Sequence, residues 1–264
     1  NTLNKPIVWI RGLWDYFCLQ NFNRIISNPV SVRWLWRHYI KRNIEEVRRR
    51  VDIAAQRTGR NPEDIKIIAV TKTVSIEKIN CAIDEGLNIL GENRVQELCE
   101  KYDNVNRDCK WDIIGHLQTN KVKYIVDKVN LIHSVDRLEL VQEIQKRAEK
   151  AGRIIDILVQ VNVAEEESKF GLSLYEVKSF LKKINKFDAV KVKGLMTIAP
   201  FLQNIEAVRP VFRELYKIFV DIREENIDNI DMKLLSMGMS NDFEAAIEEG
   251  ANIVRIGTAI FGKR

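Results

Sequence analysis

IKIIAVTKT, residues 65–73, decides how the rest of the chain is read. An apolar, β-branched run stops at a lysine set between two threonines, and Ser75 then supplies a helix-start signal. A short Val/Ile-rich run bounded by polar residues is a strand buried on both faces, as in parallel sheets. Open and barrel-shaped α/β folds place their chemistry at the carboxyl ends of such strands, where Lys72 stands. Position alone makes Lys72 a solvated surface charge, so any functional role needs support from elsewhere in the chain.

Outward from this strand an alternation begins and does not break. Strand-like runs recur at 65–70, 88–90, 111–114, 131–135, 154–161, 190–198, 232–235 and 253–256. Helical stretches with readable ends lie between them. Ser75 opens the first and Gly86 closes it; Asp136 opens one that Gly152 closes; Ser173 and Glu176 have capping-box spacing; Asn241 opens DFEAAIEE, closed by Gly250. The long stretch 205–225 contains Pro210, which sits in its first turns or kinks it. Ahead of the first strand, Ile44, Val47, Val51, Ala54 and Ala55 recur at helical spacing until Gly59 and Pro62. They predict an extra N-terminal helix against the outside of the domain. Eight strands alternating with helices over roughly 200 residues predict an α/β fold, a single (β/α)8 TIM-type barrel over residues 38–264. A doubly wound open sheet is the second choice.

Composition agrees with one large domain: 264 residues, 45% hydrophobic and 30% charged. The formal charge is +5, but residues 1–37 hold Lys5, Arg11, Arg24, Arg33 and Arg37 against Asp15 alone, a net +4 that leaves +1 for the rest. A near-neutral body argues against a nucleic-acid face. Cys18, Cys81, Cys99 and Cys109 form no CxxC pair, and His38, His116 and His133 are too scattered for a metal-ligand pattern. Reduced thiols in the cytoplasm are the simplest reading, and no apolar run approaches membrane-spanning length. Residues 1–37 carry four of the five tryptophans and no sustained period. They read as an atypical extension outside the barrel, a surface-seeking segment or an appendage, without the parts of a signal peptide.

Closure of a barrel makes its first and last strands neighbours. Strand seven runs out through LLSMGMS, which sets Ser236 and Gly238 at the rim, and strand eight through VRIGTAIFG, which sets Arg255, Gly257 and Thr258 there. Glycines let backbone N–H groups approach an anion, hydroxyls add donors, and this rim is where such barrels carry a phosphate site. The plainer reading makes the glycines tight turns and Ser236 a cap. Arg255, inside a strand that should be buried, must have a partner, a structural carboxylate or a ligand atom. A phosphate pocket beside a lysine whose neutral amine can attack a carbonyl suits a phosphorylated aldehyde, and pyridoxal 5′-phosphate joins both requirements. GENRVQE offers Asn93 and Gln96, and IGHLQTNK offers His116, Gln118 and Asn120, as ligand contacts or as loop anchors. Glu165–Glu167 reads as a solvated face.

The motifs AVTKT, GENRVQE, IGHLQTNK, HSVD, QVN with EESKFG, GLMTI, SMGMSNDFEAAIEEG and VRIGTAIFG, in that order, closely resemble the pyridoxal 5′-phosphate homeostasis proteins. That family is similar to the barrel domain of alanine racemase standing alone, and the likeness runs from about residue 40 to residue 262. Thr71 stands where the family usually has serine and Arg94 where it usually has tyrosine, which removes an aromatic contact. By motif, the resemblance implies that Lys72 carries the cofactor as a Schiff base, that Ser236, Gly257 and Thr258 hold its phosphate, and that Arg255 faces the pyridine nitrogen. It further implies that Asn93, His116 and Met196 line the pocket. An arginine there only donates and leaves that nitrogen unprotonated, a poorer electron sink than an aspartate-paired ring gives. Such a site is better suited to holding the cofactor than to transamination, and the resemblance implies a non-catalytic carrier and regulator of pyridoxal phosphate in the cytoplasm, a monomer or weak dimer, with pyridoxal-phosphate-dependent apo-enzymes as candidate partners. The alternative is an amino-acid racemase, whose second domain supplies a tyrosine base; none is expected here, where the chain ends directly after strand eight. A phosphosugar barrel with a Schiff-base lysine, like a class I aldolase, is a third.

Overall fold

The computed structural model describes residues 29–105, 108–166 and 170–263, so residues 1–28 of the N-terminal extension lie outside it. Eight parallel strands close into a barrel in chain order. They are β1 (Lys66–Val70), β2 (Ile89–Glu92), β3 (Lys110–Ile113), β4 (Val129–Val135), β5 (Ile155–Gln160), β6 (Val190–Met196), β7 (Ile230–Met239) and β8 (Ile253–Ile256). The helices are α1 (Pro29–Arg57), α2 (Ile76–Asp84), α3 (Val95–Tyr102), α4 (Leu138–Ala151), α5 (Leu174–Ile184), α6 (Arg209–Glu225), α7 (Phe243–Glu248) and α8 (Thr258–Phe261).

Strand alternation separates two cores. Ile68, Leu131, Leu158, Met196 and Ile253 meet inside the barrel as an apolar plug, with Ile89 and Leu234 against it. Ala69, one residue from Ile68, belongs instead to the larger core between strands and helices. The β-branched runs are buried on both faces for this reason, and the plug leaves only the carboxyl-end mouth open to a ligand.

Helix α1 buries Ile40, Ile44, Val47, Val51, Ala54 and Ala55 and packs on α2, α7 and α8, across the place where β1 meets β8. Arg50 grips Glu244 of α7 through two N–H···O contacts of 3.1 and 2.6 Å, and the Asn43 amide donates to the Ile260 carbonyl at 2.9 Å. Within the described residues the helix runs from Pro29, ahead of the apolar period, unbroken through residues 37 and 38. Its first turns lie beyond the barrel-facing stripe that starts at Ile40, which is why no period marks them in the sequence.

The helix-end signals hold with small shifts. Ser173 and Glu176 form the expected capping box, and Gly152 ends α4 in the left-handed region. Pro210 sits in the first turn of α6 and does not kink it. The N-caps of α4 and α7 are Arg137 and Asp242, each one residue past the expected Asp136 and Asn241. Asp136 pairs with Arg137 at 2.7 Å, and Asp242 accepts from the Met239 N–H at 2.6 Å.

Candidate functional site

At the end of β1 the Thr71 N–H donates to the Gly91 carbonyl, and the Val74 N–H returns to the Thr71 carbonyl at 2.9 Å, which closes a turn with Lys72 and Thr73 at its corners. Thr71 is fully buried and directed at β2, its hydroxyl donating to Glu92 at 2.7 Å. Lys72 lies two residues past the end of β1 and is solvent-exposed. Strands β1 and β8 pair Ile68 with Arg255 and Ala69 with Ile256. One further step along both strands sets Val70 beside Gly257, two residues short of Lys72.

Arg255 on β8 is 4% exposed, and no carboxylate forms an ion pair with it among the described residues. Its guanidinium donates to the Ser236 hydroxyl and to the Thr197 carbonyl, each at 2.7 Å. Burial pulls its pKa down to about 10, with Asp242 opposing at longer range, so it stays a cation at neutral pH. A guanidinium has five N–H donors, and the two contacts leave most of them free for a ligand acceptor.

Ser236, expected at the rim, lies one layer down. Strand β7 continues to Met239, pairing Ser236 with Ile253 and Met239 with Arg255, so Ser236 is wholly enclosed. There it stands 3.0 Å from His133 Nδ1, whose Nε2 is 3.3 Å from Asp112. Arginine only donates, so the Ser236 hydroxyl accepts from Arg255 and has its own O–H to donate to Nδ1, an arrangement that leaves the imidazole proton on Nε2 toward Asp112. Burial keeps His133 below its ordinary pKa, in agreement with a neutral ring. A polar chain from β3 through β4 and β7 to β8 thus lies just above the apolar plug.

The residue that does reach the rim is Ser240. Its hydroxyl accepts from the Gly257 N–H at 3.2 Å and the Ala259 N–H at 3.3 Å, so two backbone donors converge on one oxygen. An anion oxygen would be held at that point in the same way. Thr258 lies between the two donors and is exposed. Gly238 has a φ of +91° and faces α7, where a Cβ would come within 2.6 Å of the Ala246 Cβ; it serves packing.

The other expected residues divide. Asn93 follows β2 and is half-buried, and its carbonyl lies so near Gly115 that a Cβ there would sit 2.5 Å away. The loop after β3 is tied down by Ser134, which donates to the Gly115 carbonyl at 2.6 Å, and by Arg137, which donates to the Leu117 carbonyl at 2.7 Å. This loop carries His116, stacked on Phe170 with centroids 3.7 Å apart and planes at 18°. Partial burial lowers the His116 pKa, and Arg137 adds to the effect. Phe170 belongs to the loop after β5 and is fixed by Gln160, whose amide donates to its carbonyl at 2.9 Å. Met196 is fully buried in the plug, level with Ser236, and so lies beneath the mouth. The fold brings the end of β1, Arg255, Gly257 and Thr258 to one side of the rim, with Ser240; Asn93 and His116 mark the other. The unforeseen members are Ser240, Phe170, His133 and Asp112. Ser240 was visible as the second serine of SMGMS, but a strand read as ending near residue 235 set the first one at the rim.

The family described as "Alanine racemase, N-terminal domain" matches residues 41–264. The chain is 47% identical over 222 residues to the pyridoxal phosphate homeostasis protein of Aquifex aeolicus, covering 84% of this chain and 96% of that one. With the protein of the same name from Escherichia coli K12 it shares 35% identity over 230 residues, 85% of this chain and 97% of that one. The chain belongs to the pyridoxal phosphate homeostasis protein family. Among solved structures, an unknown protein from Bifidobacterium adolescentis superposes with a TM-score of 0.82 at 34% identity, covering 86% of this chain and 96% of that one. PipY of Synechococcus elongatus with pyridoxal phosphate bound superposes with a TM-score of 0.71 at 29% identity, covering 82% of this chain and all of that one. Alanine racemase of Clostridium difficile, at 18% identity and a TM-score of 0.67, shares the fold, and 57% of that chain is covered. The family's barrel is thus the domain expected from the alternation, and no helix among the described residues is long and apolar enough to cross a membrane.

Proposed function

We propose that this chain binds pyridoxal 5′-phosphate at the mouth of the barrel through Lys72 and serves its homeostasis without catalytic turnover. When bound, the cofactor would supply a phosphate for the rim donors to hold and an aldehyde for the Lys72 amine to hold. The observation that carries the reading is Arg255, a buried cation with no carboxylate in ion-pair contact among the described residues and with donors to spare. The donor set fits. Gly257, Ala259, Ser240 and Thr258 offer N–H and hydroxyl donors for phosphate oxygens, Arg255 offers N–H groups to a ring nitrogen, and Lys72 offers the amine. Asn93 and the His116–Phe170 pair border the other side, and Met196 and Ser236 support the floor.

Arg255 also bears on the chemistry the site suits. A guanidinium gives the pyridine nitrogen a hydrogen bond but no proton, which weakens the ring as a store for carbanion electrons. Such a site suits holding the cofactor better than transamination. A reversible linkage suits release to apo-enzymes, and Cys81, Cys99 and Cys109, none of them in a disulfide among the described residues, suit the reducing cytoplasm. With added pyridoxal phosphate and borohydride, the wild type should take a stable label that Lys72→Ala loses, and neither should exchange the α-hydrogen of L- or D-alanine at enzyme-like rates. An undiminished label in Lys72→Ala would move the attachment to another lysine; rapid exchange would make the chain a racemase. Borohydride trapping of sugar phosphates without pyridoxal phosphate would favour the aldolase-like reading.

A further inference from the structure

Lys72 stands between two threonines, and one buried ion cluster holds both. Lys101 on α3 is only 7% exposed although charged. Its ammonium donates to the Thr71 carbonyl at 2.7 Å, to Glu92 Oε1 at 2.8 Å and to Glu97 Oε1 at 2.7 Å, which uses all three of its N–H groups. Glu92 Oε1 also accepts from the Thr71 hydroxyl, and Glu97 Oε1 accepts from the Thr73 N–H. The backbone on each side of the lysine is therefore anchored to β2 and α3 through charge-assisted bonds.

Thr73 has a φ of +58°, a conformation that β-branched residues avoid and that turns of this kind normally give to glycine or asparagine. A threonine keeps it only where the surroundings over-determine it. The cluster itself is expensive: Glu92 is fully buried with Oε2 lacking any partner, and well-packed apolar residues would serve packing as well. Its geometry is spent on the turn that carries Lys72.

We infer that Lys101 and Glu97 are positioning residues that hold the Lys72 turn, and with it the amine, over the anion cradle. The inference rests on the proposed function. Lys101 touches neither cofactor nor reacting atoms and acts through Thr71, while Glu97 acts through Thr73. A one-ångström drift of an amine is enough to slow its addition to a carbonyl without weakening the grip on a phosphate.

The test uses the full chain and two probes. Pyridoxine 5′-phosphate lacks the aldehyde and reports the cradle alone; pyridoxal phosphate followed by borohydride reports attachment, mapped by peptide mass. Lys101→Met should bind pyridoxine 5′-phosphate within about twofold of wild type yet label Lys72 at least roughly tenfold more slowly. Glu97→Ala should slow labelling in the same way, and Glu97→Gln, which keeps an acceptor for the Thr73 N–H, should restore it. Wild-type labelling in Lys101→Met would overturn the inference. So would equal loss of both probes in Lys101→Met, since the cluster would then support the barrel and not the amine. A wild type that binds pyridoxine 5′-phosphate but never labels at Lys72 would instead sink the attachment reading and this inference with it.

Discussion

Two buried residues decide the chemistry at the mouth, and both are charged or chargeable in places that exclude water. Arg255 keeps its charge because burial brings its guanidinium down only to about 10, still well above neutral pH. His133 sits on the other side of Ser236 and yields to burial instead. Its folded pKa lies below the ordinary 6.5, because burial and the Arg255 charge outweigh the pull of Asp112. Below pH 6.5 the unfolded chain therefore binds a proton that the folded chain refuses, so stability rises with pH through this window and is lost on acidification. Unfolding by urea at pH 7 and pH 5.5 should show the loss, with His133 contributing a share of it. His133→Gln should flatten the pH slope by that share. An unchanged slope would mean that the ring titrates alike in the folded and unfolded chains. None of this chain was legible from the sequence, because His133, Asp112 and Ser236 meet only when β3, β4 and β7 close into a cylinder.

At the scale of the element, β7 shows where the reading of residues stops. Residues 232–235 have the apolar run of a buried strand, but the strand continues through SMGM, which carries no β-branched signal. What extends it is tertiary: a register shift between Ser236 and Met239 and the close seat of α7 on Gly238. Gly238→Ala tests that seat. A Cβ there would meet the Ala246 Cβ at 2.6 Å and the Phe243 Cα at 2.9 Å, and φ is +91°. The variant should lose about 2–4 kcal/mol of stability, read by denaturant titration, and bind pyridoxal phosphate more weakly as Ser240 moves. Full stability would show that β7 and α7 can part without cost. By contrast, the elements with strong local signals, such as the Ser173–Glu176 box and the Gly152 stop, lie where the chain alone set them.

At the scale of the molecule, the barrel was legible because all eight strands are buried on both faces and their β-then-α order leaves few ways to bury them. The neighbourhood of β1 and β8 followed from closure, so Lys72, Arg255, Gly257 and Thr258 could be grouped before any coordinates. The shift from Ser236 to Ser240 and the clamp of Lys101 on the lysine turn could not, since both depend on where a strand ends and which way a buried side chain turns. The central claim is one of placement: an amine from β1 and an anion cradle from β7 and β8 share one small ligand. A crystal structure with pyridoxal 5′-phosphate bound tests it most directly. The account predicts density continuous with Lys72, phosphate oxygens within about 3 Å of the Gly257 N–H and the Ser240 hydroxyl, and the ring nitrogen facing Arg255. Phosphate seated elsewhere on the barrel, or a ring nitrogen turned away from Arg255, would contradict it.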